Sequence, residues 1–180
     1  MLDTTIKAQL EQYLALLESP IELSVSLDAS AAANEMQDLL GEIAAMSDKI
    51  SLVITEDKNS RAPSFTISQS SEPARIRFAG IPMGHEFTSL ILALLQTSGR
   101  APKITVEQIA QIKALDVDAV FETYISLSCQ ICPEVVQALN VMAVLNPRIS
   151  HTMIDGALFQ EEVSERQIMA VPTVYMNGQQ

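Results

Sequence analysis

The sequence predicts an α/β protein made of two copies of one β-α-β-β-α unit, and three observations carry that prediction. Ile21-Glu22-Leu23-Ser24-Val25-Ser26-Leu27 alternates apolar and polar side chains, as a half-buried strand does. Phe121-Glu122-Thr123-Tyr124-Ile125-Ser126-Leu127 repeats it one hundred positions later, sharing Glu, Ser and Leu. Apolar residues at helical spacing follow each copy: Met36, Leu39, Leu40 and Ile43 behind the first, and Val135, Val136, Leu139 and Met142 behind the second. Internal repetition of this kind marks a duplicated unit.

The elements follow in order. Ile6, Leu10, Leu14 and Leu17 share one face of a leading helix. Asp28-Ala29-Ser30 supplies a cap for the next one. Strands are expected at 50–55, 64–68 and 75–79, with a polar loop running to Pro63. After Gly84, Phe87, Leu90, Ile91, Leu94 and Leu95 define a helix with one packed side. Thr105-Val106-Glu107-Gln108 reads as a capping box opening a helix that carries Ile109, Ile112 and Leu115. Strand 149–154 matches strand 50–55, Asp155-Gly156 makes a turn, and a short helix around 158–166 is extra. Val171-Pro172-Thr173-Val174-Tyr175 then stands where Ala62-Pro63-Ser64-Phe65 stood. The expected units are 1–100 and 101–180. The second is incomplete: Asn177-Gly178 signals a hairpin, yet equivalents of strand 75–79 and of the helix after Gly84 are absent. The chain is therefore expected to belong to a longer one.

Composition narrows the function. With 180 residues, 48% of them hydrophobic, the chain can bury one real core or two small ones. The net charge of −11 is divided as about −6 over 1–100 and about −5 over 101–180. A uniformly acidic surface repels phosphate backbones, which argues against nucleic acid and for solubility. The N-terminus has no apolar signal core, and the longest apolar run, 90–95, is far too short for a membrane span. A cytoplasmic protein is expected. Only two cysteines are present, which favours redox or metal chemistry over a structural disulfide framework.

Those cysteines form Cys129-Gln130-Ile131-Cys132, at the corner where the second copy passes from strand to helix. Unpaired N–H groups and the partial positive charge of a helix N-terminus favour thiolate over thiol there. Cys129, nearest the corner, is assigned as the attacking thiol. Cys132, one turn into the helix, resolves the mixed disulfide. Pro133 is tolerated in a first helical turn. At an offset of one hundred the cysteines fall on Ala29 and Ala32, so only the second copy can do redox chemistry.

Rival readings are weaker. A structural zinc site wants four ligands; His85 and His151 lie far from the cysteines in sequence, and there is no second cysteine pair. Haem attachment fails because Pro133 stands where histidine is required. His85 reads as a surface or helix-start residue, His151 as structural, and the eight methionines mostly as core. Ser128 reads as a plain strand-end serine, although it could donate to a thiolate.

Phe78-Ala79-Gly80-Ile81-Pro82-Met83-Gly84-His85-Glu86-Phe87-Thr88-Ser89-Leu90, residues 124–145 and Val171-Pro172-Thr173-Val174 carry a resemblance that extends over essentially the whole chain. The sequence is similar to the N-terminal domain of the alkyl hydroperoxide reductase F subunit, a tandem thioredoxin-fold family related to glutaredoxin-like protein disulfide oxidoreductases. That resemblance implies two fused thioredoxin-like folds with one live dithiol, the second fold truncated at its C-terminal strand and helix. It implies a cis bond before Pro172, presenting the Val171 backbone to an incoming chain and barring metal from the sulfurs. Pro63 would share that geometry without the chemistry.

The resemblance further implies that the dithiol takes electrons from a second C-x-x-C in a flavin domain, fed by NADH, and reduces the disulfide of a peroxiredoxin, the C subunit. FAD and NADH would serve the full-length protein, a homodimer. This chain has no G-x-G-x-x-G and no second dithiol, so its own redox group is the cysteine pair. Many relatives place His-Asn between the cysteines where Gln130-Ile131 stands here. Glu86 has two readings: a carboxylate favoured near a helix N-terminus, or, with the resemblance behind it, a proton donor and acceptor reaching the dithiol across the cleft between the folds. Two alternatives to the relay stay open, a free-standing oxidoreductase using glutathione or general client proteins and a docking module with an incidental thiol pair.

Overall fold

Each strand sends alternate side chains to opposite sides of the sheet, so the apolar rows read in the sequence decide which side the helices cover. The computed structural model describes residues 2–56 and 61–180. Its elements are α1 (Thr4–Leu14), β1 (Ile21–Ser26), α2 (Ala31–Ala45), β2 (Ile50–Thr55), β3 (Ser64–Gln69) and β4 (Ile76–Ala79). A 3-10 turn (Gly84–Glu86) leads into α3 (Phe87–Thr97) and then α4 (Val106–Lys113). β5 (Ala119–Ile125), α5 (Cys132–Leu145), β6 (Ile149–Asp155), α6 (Gln160–Glu165) and β7 (Thr173–Met176) complete the chain. The polar loop expected before Pro63 falls in part on residues 57–60, outside the described residues.

The described strands form one sheet in the order β2-β1-β3-β4-β6-β5-β7. β1 and β2 are parallel, and β3 runs antiparallel to β1. β5 and β6 repeat the parallel pair, and β7 repeats the antiparallel neighbour. The halves meet where β4 pairs in parallel with β6, Ile76 beside His151 through Ala79 beside Ile154. After β7 the chain turns through Asn177 and Gly178, both with positive φ, and Met176 bridges Gln179. That is the turn the Asn-Gly pair predicts, because both central residues must adopt the left-handed region.

One core runs beneath both halves. Ile21, Leu23 and Val25 of β1, Phe65 and Ile67 of β3, Ile76 and Phe78 of β4, and Ile149 and Met153 of β6 pack under Met36, Leu40, Leu90, Leu94 and Val136 of the helices. Each such side chain contributes about 1.5–3 kcal/mol by leaving water. Phe65 stacks on Phe78 with ring centroids 5.3 Å apart. On the opposite side of the sheet, Tyr124, Ile154 and Tyr175 form a smaller cluster under Phe159 and Val163 beside α6. The strand register turns Ser24, Ser26, Ser64, Thr66 and Ser68 toward that same side in the first half.

An ionic cluster ties the halves together on that side. Arg61 reaches Glu122 at 2.6 Å and Glu162 at 2.7 Å, and Arg166 reaches Glu122 at 2.8 Å. Tyr124 donates its hydroxyl proton to Glu162 at 2.6 Å. All these groups are part-buried, so the charges are mutually satisfied rather than left unpaired away from water.

Several expectations are corrected. The first strand of the second copy spans 119–125 rather than 121–127. Ser126 cannot continue it, because its carbonyl already accepts the Cys129 N–H at 2.9 Å and closes a turn. The offset between halves is therefore not constant. Ser26 pairs with Ser64, the residue after Pro63, but Tyr124 pairs with Thr173, the residue after Pro172. The capping box at Thr105 forms as predicted, yet α4 buries none of its residues and Leu115 lies beyond it, exposed. On α5 the deep positions are Val136, Asn140, Val141 and Ala143, with Val135, Leu139 and Met142 half-buried. The methionines are mostly core as expected, Met36 and Met153 buried and Met46, Met83 and Met142 packed against it, while Met169 is 93% exposed and Met176 46% exposed. No helix of the described residues is long and apolar enough to cross a membrane.

Candidate active site

The site begins at a corner that the sequence leaves uncapped. α5 starts at Cys132 with no side-chain cap and with Pro133 in its first turn. Its first N–H groups therefore lack a side-chain oxygen to satisfy them. Sulfur takes that place: the Cys132 N–H donates to Cys129 Sγ at 3.2 Å. The cysteines are joined by a disulfide with Cα atoms 5.5 Å apart. Cys132 is fully buried, whereas Cys129 is partly exposed and Ile131 between them is 60% exposed. Ser128 is paired with Ser126, their hydroxyl oxygens 3.0 Å apart, rather than with sulfur.

α5 is locked to the sheet by a buried polar group beneath it. His151 Nδ1–H donates to Asn140 Oδ1 at 2.7 Å, and the Thr123 hydroxyl lies 2.8 Å from Nε2. Burial lowers the His151 pKa to about 3, so the ring is neutral and its two nitrogens take opposite roles.

The Val171–Pro172 bond is cis, as is Ala62–Pro63. Thr173 pairs with Tyr124, so Pro172 stands at the end of β5 from which the corner loop departs. Val171 packs half-buried against the same core as Cys129 and Leu127.

The first half contributes through its 3-10 turn, which packs against α5. Gly84 has φ +58, and a Cβ there would lie 2.8 Å from the Leu127 carbonyl oxygen. Only glycine permits that approach without strain. The next residue, His85, donates its backbone N–H to the same carbonyl at 3.2 Å. Glu86 is thereby carried to the corner and is 0% exposed. Ser89 donates to Glu86 Oε2 at 2.6 Å, while Oε1 has no partner among the described residues. Burial pushes the Glu86 carboxyl above its ordinary range, against the lowering effect of the Ser89 bond and of nearby His85.

Cys129, Cys132, Pro172 and Glu86 therefore lie at one end of the sheet. The sequence reading placed His151 as structural but missed Ser89, Gln137 and the His151 partners Thr123 and Asn140. Ser89 follows Glu86 by three positions on a helix, a spacing that was available as a signal; Gln137 and Asn140 carried none. Among the described residues no group of three or more His, Cys, Asp or Glu could hold a metal. The residues also do not fit a flavin or nicotinamide, since no glycine-rich phosphate loop follows a strand among the described residues.

A disulfide at a strand–helix corner beside a cis-proline, on a sheet of this order, defines the thioredoxin-like class. A family model for the thioredoxin domain matches residues 119–180. The N-terminal domain pair of alkylhydroperoxide reductase AhpF from Enterococcus faecalis (V583) superposes with a TM-score of 0.91 at 30% identity, covering 100% of this chain and 92% of that one. The chain belongs to the family of the N-terminal domain of alkyl hydroperoxide reductase AhpF. The corresponding alkyl hydroperoxide reductase of Xanthomonas campestris pv. phaseoli is 57% identical over 179 residues, 99% of this chain but 34% of its own length. The chain thus spans about a third of that relative. A protein disulfide oxidoreductase from Aeropyrum pernix k1, at 22% identity, shares the fold with a TM-score of 0.83 over 99% of this chain and 86% of its own.

Proposed function

We propose that this chain is a dithiol–disulfide relay that passes electrons from a flavin-linked dithiol to a peroxiredoxin disulfide, serving hydroperoxide reduction in the cytoplasm. One observation carries the reading: a disulfide whose outer sulfur accepts a helix N-terminal N–H while its inner sulfur is buried. On reduction, that N–H and the helix dipole favour thiolate at Cys129.

The Cys129 thiolate attacks one sulfur of the partner disulfide, forming a mixed disulfide, and the partner's other sulfur leaves as thiolate. Cys132 gives up its proton and attacks Cys129 Sγ. The Cys129–Cys132 bond re-forms and the partner's second sulfur leaves. Two electrons pass to the partner, and an external dithiol of the flavin-linked kind re-reduces the pair. Glu86 accepts the Cys132 proton and returns it to a leaving thiolate. Val171 and Pro172 present backbone beside the sulfurs, and exposed Ile131 and Met169 offer apolar contact to a protein substrate. Residues 1–100 act as scaffold and as the source of Glu86, while 101–180 hold the dithiol. The longer protein of which such a chain forms about a third would supply FAD, NADH oxidation and a homodimer.

Mixing the reduced chain with an oxidised peroxiredoxin of the alkyl hydroperoxide reductase kind, in parallel with oxidised glutathione, tests the relay. Rapid loss of the peroxiredoxin disulfide, abolished in Cys129→Ser, is expected. Faster turnover with glutathione would favour a free-standing oxidoreductase instead. Slow alkylation of both thiols at neutral pH would reduce the chain to a docking module. Glu86→Gln is expected to alter the pH profile of exchange; a profile matching the parent would remove Glu86 from the mechanism.

A further inference from the structure

Glu86 sits in a hydrogen-bond chain that begins on the dithiol helix itself. Gln137 of α5 donates from Nε2 to Ser89 Oγ at 3.1 Å, and Ser89 passes its own proton to Glu86 Oε2 at 2.6 Å. Ser89 is 0% exposed, and so is Glu86. A serine has one hydroxyl proton, so accepting from Gln137 commits that proton to the carboxylate. One carboxylate oxygen is thereby fixed, and Oε1 is the buried oxygen left without a partner among the described residues.

We propose that Ser89, oriented by Gln137, is the positioning residue for Glu86, holding Oε2 so that Oε1 alone exchanges protons with the dithiol. This rests on the proton-transfer role proposed for Glu86 and adds the device that aims it. Because Gln137 lies on α5, the carboxylate is indexed to the helix that begins at Cys132 and not merely to its own half. Two separately built units could otherwise drift, and a misplacement of about 1 Å costs proton transfer heavily.

Few charges compete with this arrangement. His85 on the same turn is the neighbour whose ring acts electrostatically on Glu86, lowering its carboxyl against the effect of burial. α3 carries no ionisable side chain; its polar residues are Thr88, Ser89, Gln96 and Thr97. α5 contributes Cys132 and the exposed Glu134, and Cys129 lies in the loop before it. The Ser89 bond favours the charged carboxylate, so its loss moves proton exchange to higher pH.

The test is the pH dependence of the reduced chain's reaction with dithionitrobenzoate, measured by stopped flow in the parent, Ser89→Ala, Gln137→Ala and Glu86→Gln. Ser89→Ala should move the Glu86-dependent inflection upward by about half a pH unit or more. Gln137→Ala, at a half-buried position, should move it the same way by less. Ser89→Ala on the Glu86→Gln background should add no further shift in the inflection. A titration of the Glu86 carboxyl by carbon-13 NMR in the oxidised chain gives a readout independent of rate, and its midpoint should rise in Ser89→Ala. If Glu86→Gln changes the profile but Ser89→Ala leaves both profile and midpoint unmoved, the positioning role is overturned and the Glu86 role survives. If Glu86→Gln leaves the profile unchanged, both fall. Should Ser89→Ala fail to fold, Gln137→Ala decides by the same two readouts.

Discussion

The two strand–helix corners of this chain have the same neighbours and opposite chemistry. In the first half, β1 ends at Ser26 and α2 begins at Ala31; in the second, β5 ends at Ile125 and α5 begins at Cys132. The second corner is thus two residues longer. The first helix is capped by Ser30, whose hydroxyl accepts the Ala33 N–H at 3.1 Å, and Ser30 itself bonds the Asp28 carboxylate. Those bonds hold the Asp28 carboxyl below its ordinary value. The second helix has no such cap, and its N–H turns to sulfur. A helix N-terminus can donate to a capping oxygen or to a sulfur, and this fold does one in each half.

The halves differ underneath their helices as well. α2 buries Ala33, Met36, Leu39, Leu40 and Ile43, all apolar. α5 buries Asn140 over His151 and Thr123. The helix that carries Cys132 is therefore held by directional bonds that fix its rotation, where its counterpart is held by apolar packing.

The largest effect should come from moving the chemistry across this divide. Ala29→Cys with Ala32→Cys, made in a Cys129→Ser, Cys132→Ser chain, should exchange at least about a thousandfold more slowly than the parent, because the shorter, Ser30-capped corner leaves no N–H for sulfur. Stopped-flow exchange with a small disulfide measures it, and a rate near the parent's would show that the corner's length and cap do not matter.

Acid should separate the halves next. The folded His151 pKa of about 3 lies below the ordinary 6.5, so the unfolded chain binds a proton first as pH falls. The stability His151 contributes is therefore complete above pH 6.5 and lost progressively toward pH 3, at up to about 1.4 kcal/mol per pH unit. Glu86 and Asp155, raised by burial, act in the opposite sense, since their cost appears as pH rises through their folded values. Urea unfolding at about pH 4 and about pH 7 should show a smaller loss in His151→Gln than in the parent. Equal losses would remove His151 from the acid response.

A smaller effect tests the contact between the halves. Gly84→Ala should cost about 1–3 kcal/mol through the Leu127 carbonyl and the positive φ. Exchange should slow in proportion to any displacement of Glu86, read as a lower melting temperature together with an altered pH profile. The smallest is Ser30→Ala, expected to cost about 1 kcal/mol of stability. It should leave exchange untouched, and a changed exchange rate would mean the first corner is coupled to the second.

Much of the fold was legible because period and capping are local properties. The strand at 50–55 begins and ends where expected, and Thr105 meets Gln108 across one helical turn as its spacing requires. The cysteine corner was legible for the same reason. The register of β5 was not, because a hydrogen bond from Cys129 to Ser126 ends that strand earlier than its composition suggests. Which methionines would stay outside the core was not legible either: Met169 is 93% exposed, because burial depends on what packs over a residue and not on its own chemistry.

The sequence by itself determined a duplicated α/β unit, one dithiol, its place before a helix, and the two prolines ahead of β3 and β7. Only the tertiary structure decided that β4 would join β6, that Gly84 would let one half touch the Leu127 carbonyl of the other, and that Ser89 and Gln137 would be linked in series to Glu86. Periodicity and caps arise from residues a few positions apart, so one chain segment encodes them. Contacts between α3 and α5 join residues nearly fifty positions apart, and they exist only once both helices have been laid on the same side of a shared sheet.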